Sequence, residues 1–170
     1  MKRKINTGII IISDRAAVGE RQDETLPVLI ETLPEKEFEI TQSIVIPDDF
    51  NEILYNLKIM AESCDLILTS GGTGLSSRDV TPEATLAVSE KHVPGISEFL
   101  RYQSLQKTNF ASLSRGVSVI RKNCLIVNLP GSPKGSKEYA EWLLPLLPHA
   151  IIQLTEPRIQ DVEHKKGNKK

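Results

Sequence analysis

The alternation of short β-branched segments with helical patterns is the feature that most constrains the fold of this chain. Residues 7–13 (TGIIIIS) are mostly apolar at successive positions, as in a strand that is buried on both faces of a sheet. Further strands are predicted over residues 38–46, 65–69, 117–121 and 124–129. Because helical patterns alternate with these strands, we predict an α/β fold with a mostly parallel central sheet and helices on both faces.

The helices are indicated by apolar spacing and by capping residues. From Phe50 to Ala61 apolar residues recur at helical spacing, so we predict a helix there with Asp48 as its N-cap. The run Thr81-Pro82-Glu83 predicts a helix that begins there, with Thr81 as its N-cap. The other helices are predicted from Asp23 to about Leu33, over residues 96–106, and from Ser136 onward, the last interrupted by Pro145 and Pro148.

Length and charge limit the class of protein. A chain of 170 residues fits one domain, which we assign to residues 1–163, and residues 164–170 have four lysines and no acid, so we expect a disordered basic tail. The net charge is −1 for the chain and −5 for residues 1–163, which argues against nucleic-acid binding. No apolar run is long enough to span a membrane and no signal-peptide core is recognised, so we expect a cytoplasmic protein.

The cysteines and histidines do not form a familiar metal or redox motif. Cys64 and Cys124 are far apart in the chain, and the three histidines are scattered. We therefore expect two buried free thiols and no zinc site of the usual spacing.

Four loops that follow predicted strands carry polar, glycine or proline residues. They are residues 13–15, 47–49, 70–74 and 128–135. Strand ends of a parallel sheet lie at one edge, and ligands of open α/β sheets bind there. The sequence therefore predicts a single binding site built from these loops.

The turn Gly71–Gly74 leaves backbone N–H groups unobstructed by side chains, as an anion site requires. It is neither a P-loop nor a dinucleotide fingerprint. Asp48 and Asp79 are predicted at the same edge, and two carboxylates beside a phosphate suit Mg²⁺. The alternative is that both acids only stabilise helix N-termini.

A second loop, residues 128–134 (NLPGSPK), supplies a cation at Lys134, and Ser114-Arg115 in a predicted loop upstream adds a guanidinium. Together with Arg78 these are the cations expected to meet phosphate groups.

Several motifs in combination resemble one protein family. They are SGGTG at 70–74, RDVTPEAT at 78–85, PG at 94–95, LSR at 113–115 and NLPGSPK at 128–134, with ISDR at 12–15 and IPD at 46–48. In this order and spacing they resemble the molybdopterin adenylyltransferases of molybdenum-cofactor biosynthesis, the Mog type and its MoaB relatives. The similarity extends over roughly residues 5–155.

The resemblance implies a three-layer α/β/α sandwich and a specific reaction. The terminal phosphate of molybdopterin attacks the α-phosphorus of ATP, with Mg²⁺ present, and pyrophosphate leaves. Asp48 and Asp79 are implied as the catalytic and metal-binding acids. The nucleotide is expected at Gly71, Gly72, Thr73, Gly74, Arg78, Thr81, Pro82 and Glu83. Molybdopterin is expected at Ser13, Asp14, Ser114, Arg115, Asn128, Pro130, Gly131, Ser132, Pro133 and Lys134.

The resemblance also implies a homotrimer, or a hexamer built from trimers, and handover of the product to a molybdate-inserting protein. A MoaB-like protein that binds molybdopterin without turnover is the alternative within the family. The presence of both Asp48 and Asp79 favours the enzyme. A generic nucleotide-binding α/β domain is disfavoured, since the chain has no standard dinucleotide motif.

Overall fold

A six-stranded, mostly parallel sheet forms the centre of the structure, a computed structural model that describes residues 3–156. The strand order is β2-β1-β3-β6-β5-β4. The strands are β1 (Ile5–Ile12), β2 (Phe38–Ile46), β3 (Leu66–Ser70), β4 (Lys91–His92), β5 (Ser118–Arg121) and β6 (Cys124–Leu129). The first four strands in that order are parallel, and only β5 and β4 run antiparallel to their neighbours, which confirms the predicted sheet. The predicted domain boundary at 163 and the basic tail lie outside the described residues.

Helices connect the strands and cover the sheet. They are α1 (Asp14–Ala17), α2 (Thr25–Thr32), α3 (Phe50–Met60), α4 (Thr81–Val88), α5 (Pro94–Leu105), α6 (Pro133–Leu143) and α7 (Leu147–Thr155), with a 3₁₀ segment at Asn109–Leu113. None of the helices within residues 3–156 is long and apolar enough to cross a bilayer.

Successive residues of β1 belong to two separate cores, because side chains of a strand alternate between faces. Ile9 and Ile11 pack in a cluster with residues of α2, α5, α6 and α7. Ile10 and Ile12 pack in another with residues of α3 and α4. The sheet is thus the middle of three layers, α/β/α, as the resemblance implied. Cys64 and Cys124 are buried free thiols, as expected.

Two of the predicted helix caps are wrong. The N-cap of α3 is Asp49, whose side chain accepts the N–H of Glu52 at 2.9 Å, whereas Asp48 bonds across the sheet edge to another loop. The N-cap of α4 is Val80, and Thr81 is already helical. In both cases the preceding or following residue is the N-cap, and the side chain that was predicted as the cap lies against another loop instead.

Two helices begin earlier than predicted, because prolines occupy their first turns. Helix α5 begins at Pro94 rather than residue 96. Helix α6 begins at Pro133 rather than Ser136, after Ser132, whose side chain accepts the N–H of Gly135. Proline is favoured at the first helical position, where no intrahelical N–H bond is lost.

The strand order reverses beside β1, which has β2 on one side and β3 on the other. Such a reversal opens a crevice at the carboxyl ends of the strands. The strands β1, β2, β3 and β6 all end at this edge, so the predicted convergence of four loops is confirmed.

Candidate active site

The turn after β3 is built on glycines that no other residue replaces easily. Gly71 has φ 106° and Gly72 has φ 62°, backbone conformations that side chains disfavour. A Cβ on Gly71 would overlap the carbonyl oxygen of Ile12 at the end of β1. A Cβ on Gly72 would overlap the hydroxyl of Thr81. The turn therefore packs its backbone directly against β1 and the start of α4.

Two carboxylates lie against this turn. Oδ1 of Asp48 is 3.0 Å from the position that a Cβ on Gly72 would take, and Oδ2 of Asp79 is 2.9 Å from that on Gly74. One oxygen of each is already bonded: Oδ2 of Asp79 accepts the N–H of Ser76 at 2.9 Å. Oδ2 of Asp48 accepts a backbone N–H from the loop after β1 at 3.1 Å. The remaining oxygens accept no hydrogen bond from residues 3–156, so each carboxylate keeps one oxygen for a ligand.

The environment of Asp48 favours a cation. Burial raises the pKa of its carboxyl above the ordinary 3.8, and the negative charges of Asp14 and Asp79 raise it further. The hydrogen bond from the N–H of Asp14 opposes the rise only in part. A positive ligand would relieve the repulsion between these acids.

Thr81 contributes a buried hydroxyl without a partner. The residue is fully buried, and its Oγ1 has no hydrogen bond within the described part of the chain. Because this atom lies beneath Gly72, beside Asp48, it is a polar group that a ligand or water in the turn would satisfy.

The turn opens on a cleft of about 580 Å³. One wall is the turn itself with Asp79, another is the loop after β6, and the rest comes from α5, the 3₁₀ segment and α6. The predicted site residues that line it are Gly72, Thr73, Gly74, Asp79, Ser114, Pro130, Gly131, Ser132 and Lys134. The structure thus brings part of each predicted set, nucleotide and molybdopterin, to one cleft.

A hydroxyl network holds the two glycine-containing loops together. Ser70 and Ser136 both donate to the carbonyl oxygen of Pro130, at 2.8 and 2.6 Å. Gly131 packs so closely that a Cβ there would lie 3.2 Å from Cα of Gly71. The relative position of the loops after β3 and β6 is therefore fixed by contacts beneath the cleft.

The three predicted cations have different surroundings. Arg78 pairs with Asp14 at 2.7 Å. Arg115 donates to the carbonyl oxygens of Gly74 (2.6 Å) and Asp79 (2.7 Å), and its guanidinium pairs with Glu83. Lys134 lies at the cleft and has no ion pair with a described residue. Of these three cations, only Lys134 is therefore uncommitted to a carboxylate within residues 3–156.

Asn128 lies beneath the cleft rather than in its wall. It is 3% exposed, its amide donates to the hydroxyls of Thr69 (2.9 Å) and Thr85 (3.0 Å), and its oxygen accepts the N–H of Val117. Its side chain ties β6 to β3 and α4.

The other predicted residues lie beside or beneath the cleft. Ser13 lies next to a small pocket near Gly131, and its hydroxyl accepts the N–H of Ala16. Pro82 is buried in the first turn of α4, and Pro133 opens α6. The remaining members that do not line the cleft are Asp14, Asp48, Gly71, Arg78, Thr81, Glu83 and Arg115.

Comparison with known proteins shows to which family this chain belongs. The sequence model of a family described as "Probable molybdopterin binding domain" matches residues 8–149. The chain belongs to this family. A protein of Escherichia coli K12 named molybdopterin adenylyltransferase is 46% identical over 142 residues, which are 81% of this chain and 72% of that protein. One of the same name from Helicobacter pylori J99 is 38% identical over 168 residues, which are 92% of this chain and 95% of that protein.

The fold agrees with that of a solved family member. A crystal structure of the molybdopterin biosynthesis enzyme MoaB from Thermus thermophilus has a TM-score of 0.84 and 46% identity, and covers 90% of this chain and 98% of its own. The family predicted from the sequence motifs is therefore confirmed, together with its three-layer fold.

In this molybdopterin-binding domain, part of the cleft wall was not predicted. It comes from the end of α5, the 3₁₀ segment and α6. Its members include Ser104, Lys107, Thr108, Phe110, Leu113, Glu138 and Tyr139. Tyr139 belongs to no sequence motif, and the 3₁₀ segment has no apolar periodicity. No pattern in the sequence therefore indicated that these residues line the cleft.

Proposed function

We propose that this chain is a molybdopterin adenylyltransferase, which transfers AMP from ATP to the terminal phosphate of molybdopterin. The observation that carries the proposal is the placement of Asp48 and Asp79 against a glycine turn that opens on a cleft. The names of the Escherichia coli and Helicobacter pylori relatives support it.

The proposed reaction forms one P–O bond and breaks another. A terminal phosphate oxygen of molybdopterin attacks the α-phosphorus of ATP. The bond between that phosphorus and the oxygen bridging to the β-phosphate breaks, and the electron pair leaves with pyrophosphate. Such transfers depend mostly on positioning and charge stabilisation, so no histidine base is needed.

The residues fit a Mg²⁺ ion. Asp48 and Asp79 each keep a carboxylate oxygen that no described residue bonds. The buried hydroxyl of Thr81 nearby also has no hydrogen-bond partner among residues 3–156. Residues 3–156 have no group of three His, Cys, Asp or Glu side chains arranged to hold a metal. Two carboxylates beside a phosphate site suit Mg²⁺, which binds through one or two carboxylates and substrate phosphates. When bound, the ion would neutralise charge on the phosphates; Asp48 and Asp79 are the residues that would hold it.

The nucleotide is assigned to the glycine turn. The backbone N–H groups of Gly72, Thr73 and Gly74 bond to no described residue and suit phosphate oxygens, whereas the N–H of Gly71 donates to the carbonyl oxygen of Leu129 at 3.4 Å. The N-terminus of α4 lies directly behind the turn, where the N–H of Thr81 donates to the carbonyl oxygen of Gly72 at 3.1 Å. Arg115 holds the turn and the Asp79 carbonyl in place. Its role in this proposal is to order the phosphate site rather than to contact the substrate.

Molybdopterin is assigned to the other side of the cleft, between Ser114 and the loop after β6. Lys134 is the cation there that can meet its phosphate. ATP has about four negative charges and the phosphate of molybdopterin about two more, so the two substrates bring about six. Lys134 and the helix N-termini therefore need the help of a metal ion.

The wider assignments remain part of this proposal. We assign residues 1–163 to one domain, the assembly to a homotrimer with a hexamer as the alternative, and the product to a molybdate-inserting protein. The trimer is assigned from the family resemblance; on the single copy, apolar side chains such as Tyr55 (64%) and Tyr102 (63%) are exposed. Two free cysteines agree with a reducing compartment such as the cytoplasm.

Release of pyrophosphate separates the enzyme from a MoaB-like protein that binds molybdopterin without turnover. We expect pyrophosphate release that requires molybdopterin, ATP and Mg²⁺ together. Tight molybdopterin binding without pyrophosphate release would support the binding protein instead.

A further inference from the structure

Asp14 connects the loops that follow β1 and β2. Its Oδ1 accepts the backbone N–H of Asp48 at 3.0 Å, and its own N–H donates to Oδ2 of Asp48 at 3.1 Å. Beside this pair, the N–H of Ser13 donates to the carbonyl oxygen of Ile46 at 2.9 Å. The reciprocal bonds fix the backbone of Asp48 and leave its Oδ1 beside Gly72.

Asp14 also holds the loop that follows β3. Nε of Arg78 donates to Oδ2 of Asp14 at 3.1 Å, and one terminal nitrogen of the guanidinium donates to Oδ2 at 2.7 Å and to Oδ1 at 2.8 Å. The contact is bidentate, the geometry in which an arginine is best oriented by a carboxylate. Because Arg78 directly precedes Asp79, Asp14 is tied to the loops that carry both proposed catalytic acids.

These contacts point to a different role for Asp14 from the molybdopterin binding that the family resemblance implied. It does not line the cleft, and both its oxygens are occupied within the protein. Helix α1 does not need its carboxylate, since the hydroxyl of Ser13 caps that helix. Its contacts therefore point to the two acids rather than to molybdopterin.

We propose that Asp14 is a positioning residue of the adenylyl transfer, which holds Asp48 against the glycine turn and keeps the Arg78–Asp79 segment next to it. The inference rests on the proposed function for its kinetic consequence, but the arrangement of the loops is independent of turnover. Misplacing a reacting group by about 1 Å can lower a rate about 10²-fold, so such a residue matters without touching substrate.

Three variants separate this role from substrate binding. Asp14→Ala removes both the acceptor for Asp48 and the partner of Arg78. Asp14→Asn keeps an oxygen for the Asp48 N–H but loses the charge that holds Arg78. Asp49→Asn is the matched control, because this neighbouring acid caps α3 and asparagine caps about equally well.

The kinetic measurement compares kcat and KM for molybdopterin. We expect Asp14→Ala to lower kcat about 10- to 100-fold with KM changed less than about twofold, and Asp14→Asn to lose less. Combined with Asp48→Asn, Asp14→Ala should add less than about a further twofold, because Asp14 positions Asp48 and Asp79, which are proposed to hold the same ion and so fail together. Losses that multiply in the double variant, or a rise in KM with kcat intact, would overturn the proposal and return Asp14 to the molybdopterin site.

Amide hydrogen exchange by NMR tests the same claim without turnover. In Asp14→Ala, the Asp48 N–H should exchange about tenfold faster or more, as should the N–H of Ser76 that Asp79 accepts, while Asp49→Asn leaves both unchanged. Unchanged exchange in Asp14→Ala would overturn the positioning role even if activity fell. Faster exchange in a protein that shows no adenylyl transfer would support the positioning of the loops and reject the proposed function alone.

Discussion

Oδ1 of Asp48 lies 3.0 Å from the point where a side chain on Gly72 would begin. The absence of a Cβ at this position lets the carboxylate approach the backbone of the turn. The same space borders the hydroxyl of Thr81, which has no hydrogen-bond partner in the described part of the chain. The glycine is therefore a requirement of the proposed metal and phosphate site as much as of the turn itself.

Replacement of Gly72 by alanine should damage both stability and turnover. The new Cβ would meet Thr81 and Asp48, and the positive φ is strained for any side chain. We expect a loss of about 1–3 kcal/mol in the free energy of unfolding, measured by denaturant titration. The matched control is Gly95→Ala in the first turn of α5, where nothing lies within 4 Å of the new atom. A Gly72→Ala protein as stable and active as Gly95→Ala would contradict the account.

Asp79→Asn should lower kcat by about 10² to 10³, comparable with the loss of one preorganised electrostatic group. The substitution keeps the size of the side chain and an oxygen for the N–H of Ser76 but removes the charge. Affinity for molybdopterin, measured by titration, should change little. Near-normal turnover with Mg²⁺ dependence intact would mean that Asp79 has only a structural role.

Asp48 and Asp79 should behave as one unit. If both hold the same ion, the loss in the double variant Asp48→Asn with Asp79→Asn is smaller than the product of the single losses. The measurement is a double-mutant cycle, which compares the steady-state rates of the unaltered protein, the two single variants and the double variant. Independent effects that multiply would show that the two acids act on separate groups.

Because the fold raises the pKa of the Asp48 carboxyl, Asp48→Asn should stabilise the protein although it lowers the activity. Below the ordinary value of 3.8 the carboxyl is protonated in the folded and unfolded chain, and stability is lost as the pH rises through the raised folded pKa. At neutral pH, Asp48→Asn should therefore have a higher unfolding midpoint than the unaltered protein. The difference should shrink towards about pH 3. If Asp48→Asn lowered the unfolding midpoint equally at neutral pH and at about pH 3, burial of the Asp48 charge would be contradicted as the cause.

The chain should associate into trimers. Apolar side chains remain exposed on the single copy, among them Tyr55 and Phe110, the latter 79% exposed at the cleft. Light scattering at assay concentration should give about three chains per particle, or six if trimers pair. A stable monomer with full activity would reject this assignment.

The order of strands and loops could be predicted from the sequence because its signals are local. The bounds of β2 and β6 match the predicted segments, since both runs are set off by turn residues on each side. The convergence of the four loops followed from a parallel sheet alone. The glycine turn and the loop after β6 were recognised for the same reason, as glycine and proline mark required backbone geometry.

Pairings between loops could not be predicted, because they depend on contacts between distant parts of the chain. Asp14 and Arg78 are 64 positions apart and bind one another, although the motifs assigned each to a substrate. Asp48 was predicted both as a helix cap and as a metal ligand, since a cap and a ligand have the same residue type at a strand end, and of the two the structure contradicts only the cap. The buried hydrogen bonds of Asn128 likewise depend on Thr69 and Thr85, which only the fold brings near.

Mass detection of the product is the most direct test of the proposed activity. The protein is incubated with molybdopterin, ATP and Mg²⁺, and the pterin fraction is analysed by mass spectrometry. The account predicts adenylylated molybdopterin in the presence of the unaltered protein and of Asp49→Asn, and a strongly reduced yield with Asp48→Asn or Asp79→Asn. Molybdopterin recovered unmodified from the unaltered protein, with ATP intact, would contradict the claim that this chain is an adenylyltransferase.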